Sequence, residues 1–91
     1  MAHTVREKTK LLGRVRRIRG QVEALERAVE GEIGCADILQ LIASVRGAVN
    51  GLMGEVIEDH VRYHVAAPSL VAKERADGAE ELIEVVRAYL K

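Results

Sequence analysis

Two histidines four residues apart, His60 and His64, share one face of any helix that carries them, and that spacing suits two imidazoles to chelating one metal ion. Alone, such a pair is more often two solvated rings at a helix C-terminus, where a partial positive charge is welcome. The chain has one further histidine, His3, and a single cysteine, Cys35. One cysteine cannot form an internal disulfide, so it is a small buried hydrophobe or a thiol with a function. Set beside histidines, it completes a donor set of one sulfur and several nitrogens. That set is borderline rather than soft: it suits Ni(II), Co(II) or Zn(II) better than Cu(I). If Met1 is removed ahead of the small Ala2, the new Ala2 amine and the His3 ring can chelate together, raising the coordination number above four and favouring Ni(II) or Co(II) over Zn(II).

A second constellation is electrostatic. The formal net charge is zero, yet between Arg6 and Arg19 stand seven cations (Arg6, Lys8, Lys10, Arg14, Arg16, Arg17, Arg19) against one anion, Glu7, a local net of +6. The rest of the chain is correspondingly acidic. A charge run is often a solvated helix face, but one with so few compensating acids points to phosphate contacts, with Arg14, Arg16, Arg17, Lys10 and Arg19 as the candidate DNA-binding residues. No aromatic residues are interleaved, which argues against stacking on single strands.

The elements that position these groups read as helices. Thr4-Val5-Arg6-Glu7 is a capping box, so a first helix begins near Thr4. Leu11, Val15, Ile18, Val22, Leu25 and Val29 then follow at spacings of four and three up to a stop at Gly31. Ile38, Ile42, Val45, Val49, Leu52 and Val56 repeat the pattern, predicting a second helix from about Cys35 to about Val65. Pro68 ends it, and a shorter amphipathic helix is expected from about Lys73 to Leu90. The short connector makes the two long helices an antiparallel hairpin, unlike the paired short helices of a helix-turn-helix.

In such a hairpin, turning near Ile33, His3 lies level with Tyr63, which gathers all three histidines at one end. Cys35 sits at the other end of the second helix, roughly 37 Å from His60 at about 1.5 Å rise per residue. It is also at a helix start, where the dipole favours a thiolate. One chain cannot join these donors; two antiparallel chains can. Leu39, Leu41, Ala48, Met53 and Ile57 widen the apolar surface of the second helix beyond what one partner covers, so a four-helix-bundle dimer is expected. Composition agrees: 48% of the chain is apolar, without Phe or Trp, in ninety-one residues, so a single domain spanning 1–91 gains its core from helix seams and a second copy. No apolar run approaches the ~20 residues of a membrane span and no signal peptide is apparent, so a cytoplasmic protein with no membrane partner is expected.

The stretch Arg14-Val15-Arg16-Arg17-Ile18-Arg19-Gly20-Gln21-Val22-Glu23-Ala24-Leu25, with Ile38 to His60, resembles the CsoR/RcnR/FrmR family of transcriptional repressors, and the likeness extends along nearly the whole chain. It implies an all-α three-helix protomer, assembly as a dimer of dimers (a homotetramer), binding of double-stranded operator DNA through basic residues, and release when an inducer binds. The copper-sensing branch carries a second cysteine where His64 stands here. The nickel/cobalt branch matches at Met1-Ala2-His3-Thr4, Cys35, His60 and His64, and implies a Ni(II)/Co(II)-responsive repressor of a metal exporter. The formaldehyde-sensing branch looks similar in helix one and in Val86 to Lys91, but its proline at the second position is Ala2 here, and His64 departs from the acidic residue common there. An enzyme using Cys35 and a histidine lacks an oxyanion hole and an orienting third residue, so no catalysis is expected.

Overall fold

The computed structural model describes residues 5–90, with side chains described from Glu7. Among these residues there are three helices and no strand: α1 (Val5–Glu30), α2 (Cys35–His64) and α3 (Ala72–Tyr89). The fold is all-α, and each helix lies where its periodicity predicts. The capping box at Thr4 falls outside the described residues. The chain divides into two compact units at Met53/Gly54, and no described helix is long and apolar enough to cross a membrane.

The first unit holds α1 and the opening turns of α2. The chain reverses through a Schellman arrangement: the Ile33 N–H donates to Ala28 O (3.2 Å) and the Glu32 N–H to Val29 O (3.1 Å). The sequence places the stop at Gly31, but the left-handed residue is Glu32, with φ 52°. Gly31 serves a different need, because a Cβ there would sit 3.2 Å from Arg27 O. Gly34 O then accepts from the Asp37 and Ile38 N–H groups at 3.0 and 3.1 Å, opening α2 with the Asp37 carboxylate in its first turn. Across the hairpin, Gln21 meets Ser44 and Arg14 reaches Gly51, pairs equally spaced about residues 32–33. The predicted antiparallel register is therefore present.

The two heptad seams are used unequally. Leu11, Ile18 and Leu25 of α1 and Ile38, Val45 and Leu52 of α2 are half-buried, while Ala28, at 8% exposure, alone among the described apolar side chains is buried. The alternate positions Val15, Val22 and Val29 on α1 and Ile42, Val49 and Val56 on α2 stay 43–54% exposed. Each seam thus splits into a half-buried half and a half that the described residues leave largely exposed.

The second unit runs from Gly54. Past His64, the Ala66 N–H donates to Val61 O at 2.7 Å, and Arg75 spans the connector, donating to Val65 O (3.2 Å) and Leu70 O (3.1 Å). Glu74 Oε1 accepts from the Val71 N–H at 3.0 Å and so opens α3. Where α3 meets the end of α2 the closest residue is Gly78, which is buried; a Cβ at that position would lie 1.9 Å from His64 O. Only a residue without a side chain permits this approach.

Candidate metal centre and nucleic-acid interface

His60 and His64 occupy the last turns of α2, both half-buried, with ring centroids 5.0 Å apart and planes tilted by 33°. His60 Nε2 lies 2.8 Å from Gly78 O. A carbonyl can only accept, so this ring nitrogen carries the proton and the neutral ring keeps its lone pair on Nδ1. An imidazole whose second nitrogen is anchored on a carbonyl is the common state of a metal-ligating histidine. The close approach that Gly78 permits therefore fixes the tautomer and orientation of His60.

Cys35 is an exposed, free thiol on the first residue of the helix that His64 ends. The predicted donors Ala2 and His3 lie outside the described residues. The structure thus brings His60 and His64 together. Among the described residues no three His, Cys, Asp or Glu side chains converge on one point. The ion pairs Arg62–Glu58 and Lys73–Asp77 are exposed surface pairs; Asp77 raises the Lys73 pKa above its ordinary value. Gly78 escaped the sequence reading, although a lone glycine inside a helical pattern is a signal of close packing.

The basic segment does not form one uniform face. Arg14 and Arg17 line a groove of about 300 Å³ with Ile18, Gln21, Ser44 and Ala48, where α1 lies against α2. Lys10 precedes Arg14 by one turn and is exposed. Arg16 is exposed outside that groove, and Arg19 approaches Glu23 at 3.9 Å, one turn on. Gln21 and Ser44, neither of them charged, were not legible as part of this surface.

Residues 7–88 match the family model described as a metal-sensitive transcriptional repressor. The chain belongs to the metal-sensitive transcriptional repressor family. Members are transcriptional repressors and not enzymes. Over its full length and that of each relative, the chain is 55% identical to an uncharacterized protein in the bioA 5′ region of Serratia marcescens, and 45% identical to the transcriptional repressor RcnR of Citrobacter koseri. Two solved structures of family members superpose with a TM-score of 0.88. One is a histidine-for-glutamate variant of the formaldehyde-responsive regulator FrmR from Salmonella enterica serovar Typhimurium, 49% identical, covering 97% of this chain and 99% of that one. The other is the copper-sensing repressor CsoR with Cu(I) from Geobacillus thermodenitrificans, 26% identical, covering 100% and 94%.

Proposed function

We propose that this metal-sensitive repressor is released from operator DNA by Ni(II) or Co(II), bound by His60, His64, Cys35 of a second copy and, from the N-terminus, His3 and the Ala2 amine. The observation that carries this reading is the His60 ring held on Gly78 O, with Nδ1 left as donor and His64 beside it. The placement of Cys35 supports it. Cys35 stands at the same heptad position as Ile42, Val49 and Val56, the half-seam of α2 that the protomer leaves exposed. A second copy laid antiparallel on that half-seam brings its Cys35 to the turns that carry His60 and His64.

A bound divalent ion would supply fixed positive charge and one bond to each donor. His60 donates to Gly78 O, which links its ring to α3; the Cys35 and N-terminal donors belong to other segments, so occupation of the site ties these segments together. Without inducer, Arg14, Arg16 and Arg17, with Lys10 and Arg19, face DNA phosphates. Release follows if the occupied arrangement has the lower DNA affinity, with a coupling of about 1 to 3 kcal/mol. The nickel/cobalt branch that the sequence resembles is that of RcnR, the name borne by the Citrobacter koseri relative. The natural His64 in place of the cysteine of the copper branch argues against Cu(I), and Zn(II) is a further ion this donor set would accept in vitro.

One observation favours a second reading, a formaldehyde-responsive repressor using Cys35 and the N-terminal amine: the Salmonella structure at 49% identity is of a formaldehyde-responsive regulator. Titrating a protein–DNA complex with Ni(II), Co(II), Zn(II), Cu(I) and formaldehyde, followed by fluorescence anisotropy, separates the two. Release by nickel or cobalt that disappears in His64→Ala supports the metal reading. Release by formaldehyde alone, lost in Cys35→Ala, replaces it.

A further inference from the structure

The groove between α1 and α2 in the first unit has a composition that the general DNA-binding reading does not explain. Its polar lining is Arg14, Arg17, Gln21 and Ser44, and no carboxylate faces it. Gln21 Nε2 donates to Ser44 Oγ at 3.4 Å, so the serine oxygen acts as acceptor and its own proton has no acceptor among the described residues. Arg17 likewise makes no ion pair or hydrogen bond among the described residues, although it is four residues from Gln21 on the same helix face. Two guanidinium groups and a hydroxyl donor thus surround a space of about 300 Å³. Guanidinium is the side chain whose paired donors match the oxygens of a phosphate.

Gly51 adds an independent clue. A Cβ at Gly51 would sit 3.1 Å from Arg14 Nη1, a tight contact that would displace the guanidinium by a few tenths of an ångström, so the bare backbone of α2 at this position favours the place Arg14 takes across the hairpin. Glycine inside an exposed helix is unfavourable. Its presence opposite an arginine is explained if the position of that guanidinium has a use.

We propose that this groove seats one backbone phosphate of duplex DNA, with Arg14 and Arg17 as charged donors, Ser44 as a neutral donor held by Gln21, and Gly51 setting the position of Arg14. The inference rests on the reading of the chain as a DNA-binding repressor and adds to it a specific seat and three uncharged determinants. Free phosphate offers the same oxyanion, but the groove is open along a basic helix whose Lys10 and Arg16 extend the positive field past it. An extended polyanion uses that field and a single ion does not.

The test is binding of a fluorescent duplex drawn from the DNA upstream of the chain's own gene, measured as a function of salt. Ser44→Ala and Gly51→Ala both favour helix, so folding is retained, and light scattering checks that assembly is unchanged. Ser44→Ala is expected to weaken binding about tenfold with the log–log salt slope unchanged, because a hydrogen bond to a charged group is lost and no charge is removed. Arg17→Ala is expected to lower that slope by about one as well as the affinity. Gly51→Ala is expected to weaken binding several-fold while the melting temperature holds or rises. Parental affinity in both Ser44→Ala and Gly51→Ala, with Arg17→Ala weakened, overturns the proposal, since the arginines then meet phosphate outside the groove. Saturable binding of inorganic phosphate with duplex affinity indifferent to Ser44→Ala also overturns it, in favour of a free-anion site. A parent chain that binds no duplex removes this proposal together with the DNA-binding reading.

Discussion

Replacing Gly78 by alanine is the sharpest perturbation the second unit offers. The added Cβ would lie 1.9 Å from His64 O, 2.8 Å from His64 C and 3.1 Å from His64 Cβ. The two nearest atoms are backbone, so no rotamer change relieves the overlap. To reach even about 3 Å from the carbonyl oxygen, α3 must withdraw by roughly an ångström, and a shift of that size breaks the 2.8 Å bond from His60 Nε2 to Gly78 O. Overpacking of this kind costs about 1 to 3 kcal/mol and the lost hydrogen bond about 1, while the better helix propensity of alanine returns about 1. The net is about 1 to 3 kcal/mol against docking of α3, or a melting temperature lower by several degrees in a domain of this size. Thermal melting measures the first effect. Ring 15N NMR of His60 measures the second, because a ring freed from the carbonyl no longer holds a single tautomer. On the proposed reading, Ni(II) affinity falls about 10- to 100-fold as well, the usual consequence of losing the partner that orients a metal-ligating histidine. A Gly78→Ala variant that melts like the parent and keeps the His60 ring signals refutes the reasoning.

Glu32 holds a left-handed φ of 52° at the hairpin turn, so Glu32→Gly relieves backbone strain and is expected to raise stability by about 0.5 to 1 kcal/mol after the entropy of glycine is subtracted; chemical denaturation checks this. Arg75→Ala removes both guanidinium bonds to Val65 O and Leu70 O, and amide hydrogen exchange over residues 65–71 is expected to quicken while that of α1 does not change. Val49→Asp places a carboxylate at the centre of the exposed half-seam of α2; if a second copy covers it, light scattering reports a smaller particle, and an unchanged mass refutes that cover.

Helix positions and hairpin register were legible because they follow from local periodicity and from a connector too short for any other topology, and the Gln21–Ser44 and Arg14–Gly51 pairs show that register directly. What periodicity could not separate was the use of the seam. Val22 and Leu25 are equivalent as letters in a four-three pattern, yet Leu25 is half-buried and Val22 is 46% exposed. That difference depends on which side of α1 the second helix lies, a tertiary fact. The His60–His64 pair was legible from spacing alone. Its anchoring was not, because Gly78 contributes a carbonyl that every residue possesses, and its distinguishing property is the absence of a side chain. The cations were likewise visible as a run, whereas their division between a groove with uncharged lining and an outer surface depends on helix faces that meet only in the folded hairpin.

The split seam and the proposed donors are connected by arithmetic on α2. If a second copy lies antiparallel on the exposed half-seam with the two-fold axis at Val49, the midpoint of the Ile42, Val49 and Val56 stripe, then residues whose numbers are equally far from 49 lie level across the interface. Cys35 then stands level with the partner's Tyr63, adjacent to the partner's His64 and less than one helical turn from the partner's His60. The axis position comes from apolar exposure alone, and the cysteine–histidine juxtaposition comes out of it without being put in. On this reading the surface that completes the protomer's core is also the surface that completes the donor set, so inducer affinity and assembly cannot be separated by mutation of the stripe. Val49→Asp would lower Ni(II) affinity although the Val49 side chain has no donor atom, and would do so in proportion to the loss of assembly. Conversely, Cys35→Ala would remove a donor while leaving the apolar stripe, and hence the mass of the particle, intact.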